Sequence, residues 1–344
     1  MISAEKLLNR KPLQFNMESS ARLLKGKTVI VTGGSGSIGS ELCVQIHKAE
    51  PQKLVILDIN ENNSYMLYKK LGMAENIKIE IANIREREKV FSLFRKYKPD
   101  FVFHAAAHKH VPLMEECADE AVKNNIFGTL NVMDACVDCE VKKMILISTD
   151  KAANPKSVMG ATKRFCEMMI QSRINSKTIF SAVRFGNILG SDGSVIPIFL
   201  QQIDMGGPVT ITDKSITRFF MTVTEAVGLI LETAVIASQG EIYVLDMGES
   251  ISILTLAENL IKLKGYTPYK DIDIVETGMR TGEKLHEELL INPHSAVKSQ
   301  NQSIMIDGKQ IFNTRDIEKS LELLKNSLQK NNENIKETLK KAID

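Results

Sequence analysis

Residues 28–42 read TVIVTGGSGSIGSEL, and this stretch decides the fold. An apolar, β-branched run ends at Gly33, and Gly36 and Gly39 follow before a helix-like segment begins. Glycine permits a tight turn and lets a backbone approach a phosphate, while the N-terminus of the next helix supplies N–H donors. Glycines in this strand–turn–helix context therefore predict a dinucleotide-binding turn. Three more residues of the turn are predicted to contact the dinucleotide: Ser35, Ser37 and Ile38.

The same alternation of strand and helix continues along the chain. Apolar runs such as KLVILD, FVFHAA, KMILIST and FSAVRFG are separated by helix-like segments. That pattern is typical of a parallel sheet covered by helices on both faces. We therefore predict an α/β protein with a Rossmann, doubly wound parallel sheet. Shorter runs after Gly190 predict a smaller C-terminal α/β substrate lobe.

The predicted organisation of the chain has four parts. An N-terminal arm covers residues 1–25, and a dinucleotide-binding domain covers 26–190, with a later segment at about 215–250 returning to it. Residues 191–310 are predicted to form mainly the substrate-binding lobe. Residues 311–344 are rich in Lys, Glu and Asn, which predicts a solvated C-terminal helix or tail.

Positions after the next strands agree with a dinucleotide. Asp58 ends the second strand, where a carboxylate can bind the ribose hydroxyls. Because an acidic residue there repels a 2′-phosphate, we predict NAD rather than NADP. The remaining expected contacts follow the third and fourth strands, where an amide can meet the adenine and small side chains admit a ligand: Asn83, Ile84, Ala105, Ala106 and Ala107.

Residues 147–163, ISTDKAANPKSVMGATK, contain the candidate catalytic groups. Thr149 ends a strand and Lys163 falls on the next helix, which is the layout of a short-chain dehydrogenase active site. Where that layout has a tyrosine, four residues before the lysine, this chain has Met159, whose thioether has no proton to exchange. The residues alone leave two interpretations: an inactive dehydrogenase, or an enzyme whose acid–base chemistry has moved to Asp150 and Lys151.

The composition argues against several classes of function. A net charge of +2 over 344 residues disfavours a nucleic-acid-binding protein that relies on bulk charge. No apolar run approaches the ~18–20 residues of a membrane helix, and the N-terminus has no signal-peptide pattern. Five cysteines, an odd number, favour a reducing cytoplasm. The histidines of HAAAHKH lack acidic or cysteine partners at metal-ligand spacing, so no metal is predicted.

Six motifs in order resemble a known family: TGGSGSIGSEL, AAAHKHVPLME, STDKAANP, RFGNILGSDGSVIP, TRFFMTVTEAV and GMRTGEKLHEELL. They are similar to the bacterial polysaccharide-biosynthesis (CapD-like) branch of the extended short-chain dehydrogenase/reductases. The similarity runs from about Ala4 to about Pro293. It is greatest to the UDP-N-acetylglucosamine 4,6-dehydratases of the configuration-retaining, bacillosamine and capsule type. The N-terminal arm resembles the segment that joins the membrane helices to the catalytic domain in large relatives. Because this sequence lacks those helices, we expect a soluble, cytoplasmic form.

The resemblance implies a lyase that removes water across C5 and C6 of UDP-N-acetylglucosamine. In that chemistry tightly bound NAD takes a hydride from C4 and returns it to C6, so the cofactor is recycled within each turnover. The implied roles are Asp150 as the acid at C6 and Lys151 as the base at C5. Because a base must be neutral, burial or a cation such as Lys163 is expected to lower the pKa of Lys151.

The family resemblance also accounts for Met159. In part of the dehydratase family a methionine replaces the usual tyrosine, so this departure favours an active enzyme. Lys163 is then expected to hold the nicotinamide ribose and to bias the local field. The proton of the C4 hydroxyl is expected to leave through Thr149, Asp150 or water, and the sequence does not choose among the three.

The same resemblance implies a set of substrate contacts. Arg218 and Arg280 are expected near the diphosphate, since guanidinium groups suit phosphate. Lys109 and His110 are expected to face the nicotinamide and the sugar. The full implied set is Lys109, His110, Asn187, Ser194, Val195, Pro197, Arg218, Arg280 and Glu283. Relatives commonly self-associate through two packed helices, so we expect a homo-oligomer, a dimer or larger.

Two alternative functions remain open from the sequence. A nucleotide-sugar 4-epimerase would stop at the 4-ketone and return the hydride to C4, without an acid and a base at C5 and C6. A non-catalytic NAD-sensing module would suit the loss of the tyrosine, but it would have no use for Thr149, Asp150, Lys151 and Lys163. The nucleotide base of the substrate and the C5 configuration of the product are also undecided, with retention favoured.

Overall fold

The computed structural model describes residue 15 and residues 17–191, 193–308, 310–329 and 334–344. Most of the predicted arm over residues 1–25 lies outside the described residues. Its last part forms helix α1 (Glu18–Leu24), whose Leu24 is buried in the core.

A nine-stranded sheet forms the centre of the protein. Its strands are β1 (Thr28–Thr32), β2 (Lys53–Asp58), β3 (Ile77–Ile81), β4 (Phe101–His104), β5 (Lys143–Ile147), β6 (Ile179–Arg184), β11 (Ile242–Leu245), β14 (Val297–Lys298) and β15 (Ile304–Ile306). They lie in the order β3-β2-β1-β4-β5-β6-β11-β15-β14. The pairs from β3 to β11 are parallel, and β15 and β14 add an antiparallel edge.

Helices cover both faces of the sheet, because alternate side chains of each strand point to opposite sides. In β1, Ile30 belongs to one apolar core, and Val29 and Val31 belong to the other. All five residues of β1 are buried, as expected for a central parallel strand. This arrangement confirms the predicted α/β doubly wound fold.

The helices follow the strands in alternation. A π-helical turn (Val122–Phe127) joins α6 to α7, and a 3-10 turn (Asp150–Ala152) precedes α8. The helices after α1 are α2 (Ser37–Lys48), α3 (Glu61–Lys70), α4 (Arg87–Tyr97), α5 (Val111–Glu116), α6 (Ala118–Ala121), α7 (Gly128–Asp138), α8 (Val158–Ser172), α9 (Val195–Asp204), α10 (Val223–Ile236), α11 (Ile253–Leu263), α12 (Thr314–Gln329) and α13 (Ile335–Ile343).

A separate apolar cluster lies between α9 and α11, with Phe199 and Leu260 in its centre. Three two-stranded sheets accompany it: β7 (Asn187–Ile188) with β10 (Phe220–Met221), β9 (Thr217–Arg218) with β12 (Ile251–Ser252), and β8 (Val209–Ile211) with β13 (Ile274–Glu276). Strands β11, β14 and β15, although they come from the same part of the sequence, pair within the main sheet.

The C-terminal segment, predicted as a solvated helix or tail, forms two helices that each bury one face. Helices α12 and α13 each carry an apolar stripe, and their buried residues belong to the same core as α8. Those residues are Ile317, Leu324, Ile335, Leu339 and Ala342. Their spacing of roughly one or two helical turns puts them on one face of each helix. The prediction relied on the overall content of charged residues, which does not reveal such an apolar stripe. As a result, α8 is buried over its whole length.

Candidate active site

The glycine turn after β1 packs directly on the chain that follows β4. Gly33 has a positive φ of +64°, and a Cβ atom on it would lie 2.5 Å from the Ala106 nitrogen. A Cβ atom on Gly39 would overlap the Gly33 carbonyl oxygen. Strand order reverses between β1 and β4, so these segments border the crevice at the carboxyl ends of the strands, where ligands of such sheets bind. Glycine is therefore required here by backbone approach.

Asp58 holds this turn in place and lines the smaller of two adjoining cavities, where the adenosine is expected. Its Oδ2 accepts a hydrogen bond from the Ser35 N–H (2.9 Å) and its Oδ1 accepts one from the Asn60 N–H (2.9 Å). Its negative charge opposes a 2′-phosphate at this place. The nearby cation Arg85 is paired with Glu120 at 2.5 Å. This arrangement fits a dinucleotide that carries free ribose hydroxyls.

All thirteen predicted cofactor residues line two adjoining cavities of about 570 and 330 Å³. The larger is lined by Thr149, Lys151, Met159 and Lys163, whereas the fifth catalytic candidate, Asp150, is buried outside its lining; the smaller contains Asp58. The thirteen are Gly33, Ser35, Gly36, Ser37, Ile38, Gly39, Asp58, Asn83, Ile84, Ala105, Ala106, Ala107 and Lys163. The sequence thus brings together a continuous surface long enough for a dinucleotide.

Residues 148–154 form the candidate catalytic turn, called the catalytic turn below, which begins where β5 ends. The Thr149 hydroxyl donates to Asp150 Oδ1 (2.9 Å), and the Lys151 Nζ atom lies 3.0 Å from the same oxygen. Lys151 Nζ also lies 3.4 Å from Asn187 Oδ1 and 3.3 Å from Glu287 Oε1. Asp150 is fully buried, and its Oδ2 has no hydrogen-bond partner among the described residues.

The expected lowering of the Lys151 pKa is wrong. Burial lowers the pKa of this ammonium, but the carboxylates of Asp150 and Glu287 raise it by more. The neighbouring cation that opposes them is Arg218 rather than Lys163. The resulting pKa lies above the ordinary value of 10.5, so Lys151 is an ammonium at neutral pH.

Met159 and Lys163 lie one helical turn apart on α8, which begins at the Ser157 N-cap. Both side chains line the larger cavity together with Thr149 and Lys151. Burial lowers the pKa of Lys163. The methionine therefore lies beside Lys163 in the cavity, at the sequence position where the dehydrogenase layout has a tyrosine.

His104 is a structural residue. Its Nδ1 lies 2.6 Å from the Thr32 hydroxyl and its Nε2 lies 2.8 Å from the Thr129 hydroxyl. Burial, followed by the charge of Lys163, lowers the pKa of His104 to about 3. No group of side chains suited to holding a metal ion occurs among the described residues.

The predicted substrate residues divide into two groups. Five of them line the larger cavity: Lys109, His110, Asn187, Ser194 and Val195. Ser194 Oγ is buried without a hydrogen-bond partner among the described residues, which leaves it able to bond a ligand. The other four lie outside the lining that the described residues form: Pro197, Arg218, Arg280 and Glu283. Of these, Arg218 is buried and pairs with Glu283 at 3.2 Å, whereas Arg280 is exposed.

Arg184, which the substrate motif also contains, does not face the cavity. It is fully buried and pairs with Glu167 (2.6 Å) and Asp307 (2.7 Å). Glu167 in turn accepts a hydrogen bond from Ser148 (2.7 Å), the first residue of the catalytic turn. A buried charge needs such partners, and this ion pair joins β6 to α8.

Two residues near the site were missed by the sequence analysis. Glu287 reaches Lys151 from a distant motif. Asn125, in the π-helical turn, accepts from the His108 N–H (2.8 Å) and donates to the Thr162 hydroxyl (3.0 Å). It thereby ties the HAAAHKH segment to α8. Glu287 had a local signal, its position inside the motif GMRTGEKLHEELL, whereas Asn125 lies outside the six motifs. Each contact joins segments that are separated in the sequence.

Comparison with known proteins identifies the family to which this chain belongs. The model of the polysaccharide biosynthesis protein family matches residues 29–308. The capsular polysaccharide biosynthesis protein CapD of Staphylococcus aureus is 50% identical over 295 residues, covering 84% of this chain and 49% of CapD. A UDP-N-acetylglucosamine 4,6-dehydratase (inverting) of Campylobacter jejuni is 35% identical over 279 residues, covering 79% of this chain and 80% of that enzyme.

A UDP-glucose 4-epimerase of Rickettsia bellii is also 35% identical, over 301 residues, covering 83% of this chain and 84% of that enzyme. Among solved structures, Pen from Bacillus thuringiensis has a TM-score of 0.78 at 36% identity, covering 84% of this chain and 92% of Pen. The chain spans about half the length of CapD. Within the described part of the chain, every helix is too short or too polar to span a bilayer. On the extent of these matches, the chain belongs to the polysaccharide biosynthesis protein family.

Proposed function

We propose that this protein is an NAD-dependent UDP-N-acetylglucosamine 4,6-dehydratase. Its product would be a UDP-2-acetamido-2,6-dideoxy-4-keto-hexose for bacterial glycan biosynthesis. One observation carries the proposal: Lys151 and Asp150 are paired at 3.0 Å beside Thr149 and the cavity. Elimination across C5 and C6 needs an acid and a base together, and this pair can supply both.

A single proton transfer prepares the pair. An ammonium and a carboxylate that share a hydrogen bond become a neutral amine and a carboxylic acid when the proton crosses from Lys151 to Asp150. The amine then takes the C5 proton, and the Asp150 acid protonates the departing C6 hydroxyl, which leaves as water. After elimination both groups are back in their starting protonation states. Lys151 would then protonate C5 as the hydride returns to C6, and it would regain a proton from solvent, which balances the proton that the C4 hydroxyl releases. The raised pKa of Lys151 is thus compatible with its role as the base.

The cofactor we propose is NAD, held by the glycine turn and Asp58. Bound there, it would supply reversible transfer of a hydride between C4 and C6 of the sugar. The residues of the chain would do the rest: the N-terminus of α2 would face the pyrophosphate, and Lys163 would bind the nicotinamide ribose. The Thr149 hydroxyl, which donates a hydrogen bond to Asp150, would contact the C4 hydroxyl, whose proton would leave to solvent without a tyrosine.

A 4-epimerase is the second candidate, favoured by the identity of 35% to the Rickettsia enzyme. It requires no acid and base directed at C5 and C6, so the Asp150–Lys151 pair would have no function in it. The NAD-sensing module is less well supported, since Thr149, Lys151, Met159 and Lys163 all line one cavity. We also propose retention at C5, a homo-oligomeric state and a cytoplasmic location. All five cysteines are free, which suits a reducing compartment.

A proton NMR time course with UDP-N-acetylglucosamine in deuterated water tests the function. A 4,6-dehydratase produces a new C6 methyl signal and takes up deuterium at C5, and the H5 coupling of the reduced product gives its configuration. A UDP-N-acetylgalactosamine spectrum without a methyl signal would establish the epimerase instead. If the protein retains NAD but changes neither the spectrum of UDP-N-acetylglucosamine nor that of other nucleotide sugars, the result would favour the sensing module.

A further inference from the structure

Residues 280–288, RTGEKLHEE, run along the catalytic turn, and we call them the strap. The strap's backbone bonds to β9, where the Thr217 N–H donates to the Leu285 carbonyl oxygen at 3.1 Å. Two side-chain bonds join the strap to the turn: Lys284 Nζ to the Ala153 carbonyl oxygen at 3.0 Å, and Asn154 Nδ2 to Glu288 Oε2 at 2.6 Å. The strap is thus held at both its backbone and its side chains, and Glu287 lies between two anchored neighbours.

Glu287 completes the shell of acceptors around Lys151. The ammonium has three N–H donors, and three oxygens lie near it: Asp150 Oδ1 at 3.0 Å, Glu287 Oε1 at 3.3 Å and Asn187 Oδ1 at 3.4 Å. Two of these oxygens belong to carboxylates, which favour the charged form of the amine. The Lys151 side chain remains partly exposed towards the cavity it lines.

Glu287 is itself buried, with 4% of its side chain exposed. Its Oε1 lies 4.0 Å from Arg218 Nε as well as near Lys151, while its Oε2 has no hydrogen-bond partner among the described residues. A carboxylate buried without cations is strongly unfavourable. Glu287 therefore lies between two cations and balances the charges of Asp150, Lys151 and Arg218.

We propose that Glu287 is a positioning residue that holds the Lys151 ammonium against Asp150 and sets how readily it gives up its proton. This inference rests on the proposed dehydratase function, in which the Lys151–Asp150 proton is the one that moves. The groups that face Lys151 from the elements around it are Asp150 and Asn187, with Glu287 and Arg218 from the strap and β9. Replacing Glu287 by Gln keeps an oxygen acceptor of the same shape and removes one of the two negative charges.

Competitive acetylation with isotope-labelled acetic anhydride at pH 8 tests this directly on the NAD-loaded protein. The reagent modifies only the free amine, so the rate at Lys151 relative to the exposed Lys214 reports the fraction of neutral Lys151. We expect Glu287→Gln to raise that ratio about tenfold, the factor that corresponds to one pKa unit. Glu322→Gln, the same substitution at an exposed glutamate on α12, is the matched control and should leave the ratio unchanged. Glu287→Asp should return it towards the wild-type value.

The pH dependence of deuterium uptake at C5 provides the second readout. At high pH the proton that Lys151 and Asp150 share is lost. Asp150 then has no proton to donate, so the rate decreases as the pH rises. Glu287→Gln should move that fall about one pH unit lower and change kcat more than KM, whereas a merely structural role would reduce the rate equally at every pH. An unchanged labelling ratio in Glu287→Gln would overturn the inference. If the wild type shows no C5 exchange and no methyl product, the proposed function fails, while the labelling ratio still decides the role of Glu287.

Discussion

The Thr149 hydroxyl donates a 2.9 Å hydrogen bond to the Asp150 carboxylate, which also accepts from Lys151. The residue proposed to meet the C4 hydroxyl is therefore connected to the residue proposed to protonate the C6 hydroxyl. A single carboxylate thus links the proposed site of oxidation at C4 to the proposed site of elimination at C5 and C6.

Asp150→Asn should abolish elimination while leaving the cofactor in place. The amide still accepts from Thr149 but supplies no acidic proton, and loss of a general acid typically costs 10²–10⁴-fold. We expect at least a hundredfold slower appearance of the C6 methyl signal, with the same amount of NAD retained on purification. A wild-type rate in this variant would assign the acid to another group.

Two glycines of the turn should respond differently to alanine. A Cβ atom at Gly39 overlaps the Gly33 carbonyl oxygen, whereas one at Gly36 has its nearest neighbour, the same oxygen, at 3.5 Å. Gly39→Ala should reduce the free energy of unfolding by about 1–3 kcal/mol through overpacking. Gly36→Ala should keep its stability and lose NAD affinity. Urea unfolding and NAD titration measure the two effects, and equal stabilities would contradict the proposed close approach.

Leu324 and Leu323 are adjacent on α12 but have opposite surroundings. Leu324 is fully buried, while Leu323 is 61% exposed. Leu324→Ala should reduce the free energy of unfolding by about 2–5 kcal/mol, and Leu323→Ala should change it by no more than about 0.5 kcal/mol. Chemical denaturation of both variants checks this pair. Similar small effects would mean that α12 does not contribute to the core.

His104 should make the protein less stable in acid. Burial and then Lys163 lower its pKa from 6.5 to about 3 in the folded state. The unfolded state therefore binds a proton that the folded state excludes, and stability falls as pH decreases from about 6.5 towards 3. The contribution approaches about 1.4 kcal/mol per pH unit. In His104→Gln the slope of unfolding free energy against pH should be shallower by this amount, and identical slopes would show that the histidine charges within the fold.

Several features follow from local sequence because they depend on neighbouring residues. The glycine turn after β1, Asp58 at the end of β2 and the buried parallel strands all express patterns within a few residues, and their positions agree with the prediction. Met159 and Lys163 share a helix face for the same reason. The family resemblance also pointed to Asp150 and Lys151, whose adjacency needs no tertiary information.

Tertiary structure alone decided the electrostatics and the partners. Burial lowers the pKa of Lys151, but Asp150 and then Glu287, which meets Lys151 across the fold, raise it by more, contrary to the expectation. Arg184 carries a guanidinium group of the kind that binds phosphate, but this group is paired with Glu167 and Asp307 in the core. A sequence encodes which residues are charged and which helix faces are apolar. Which charges become neighbours depends on chain segments far apart in sequence, and a pKa is set by those neighbours.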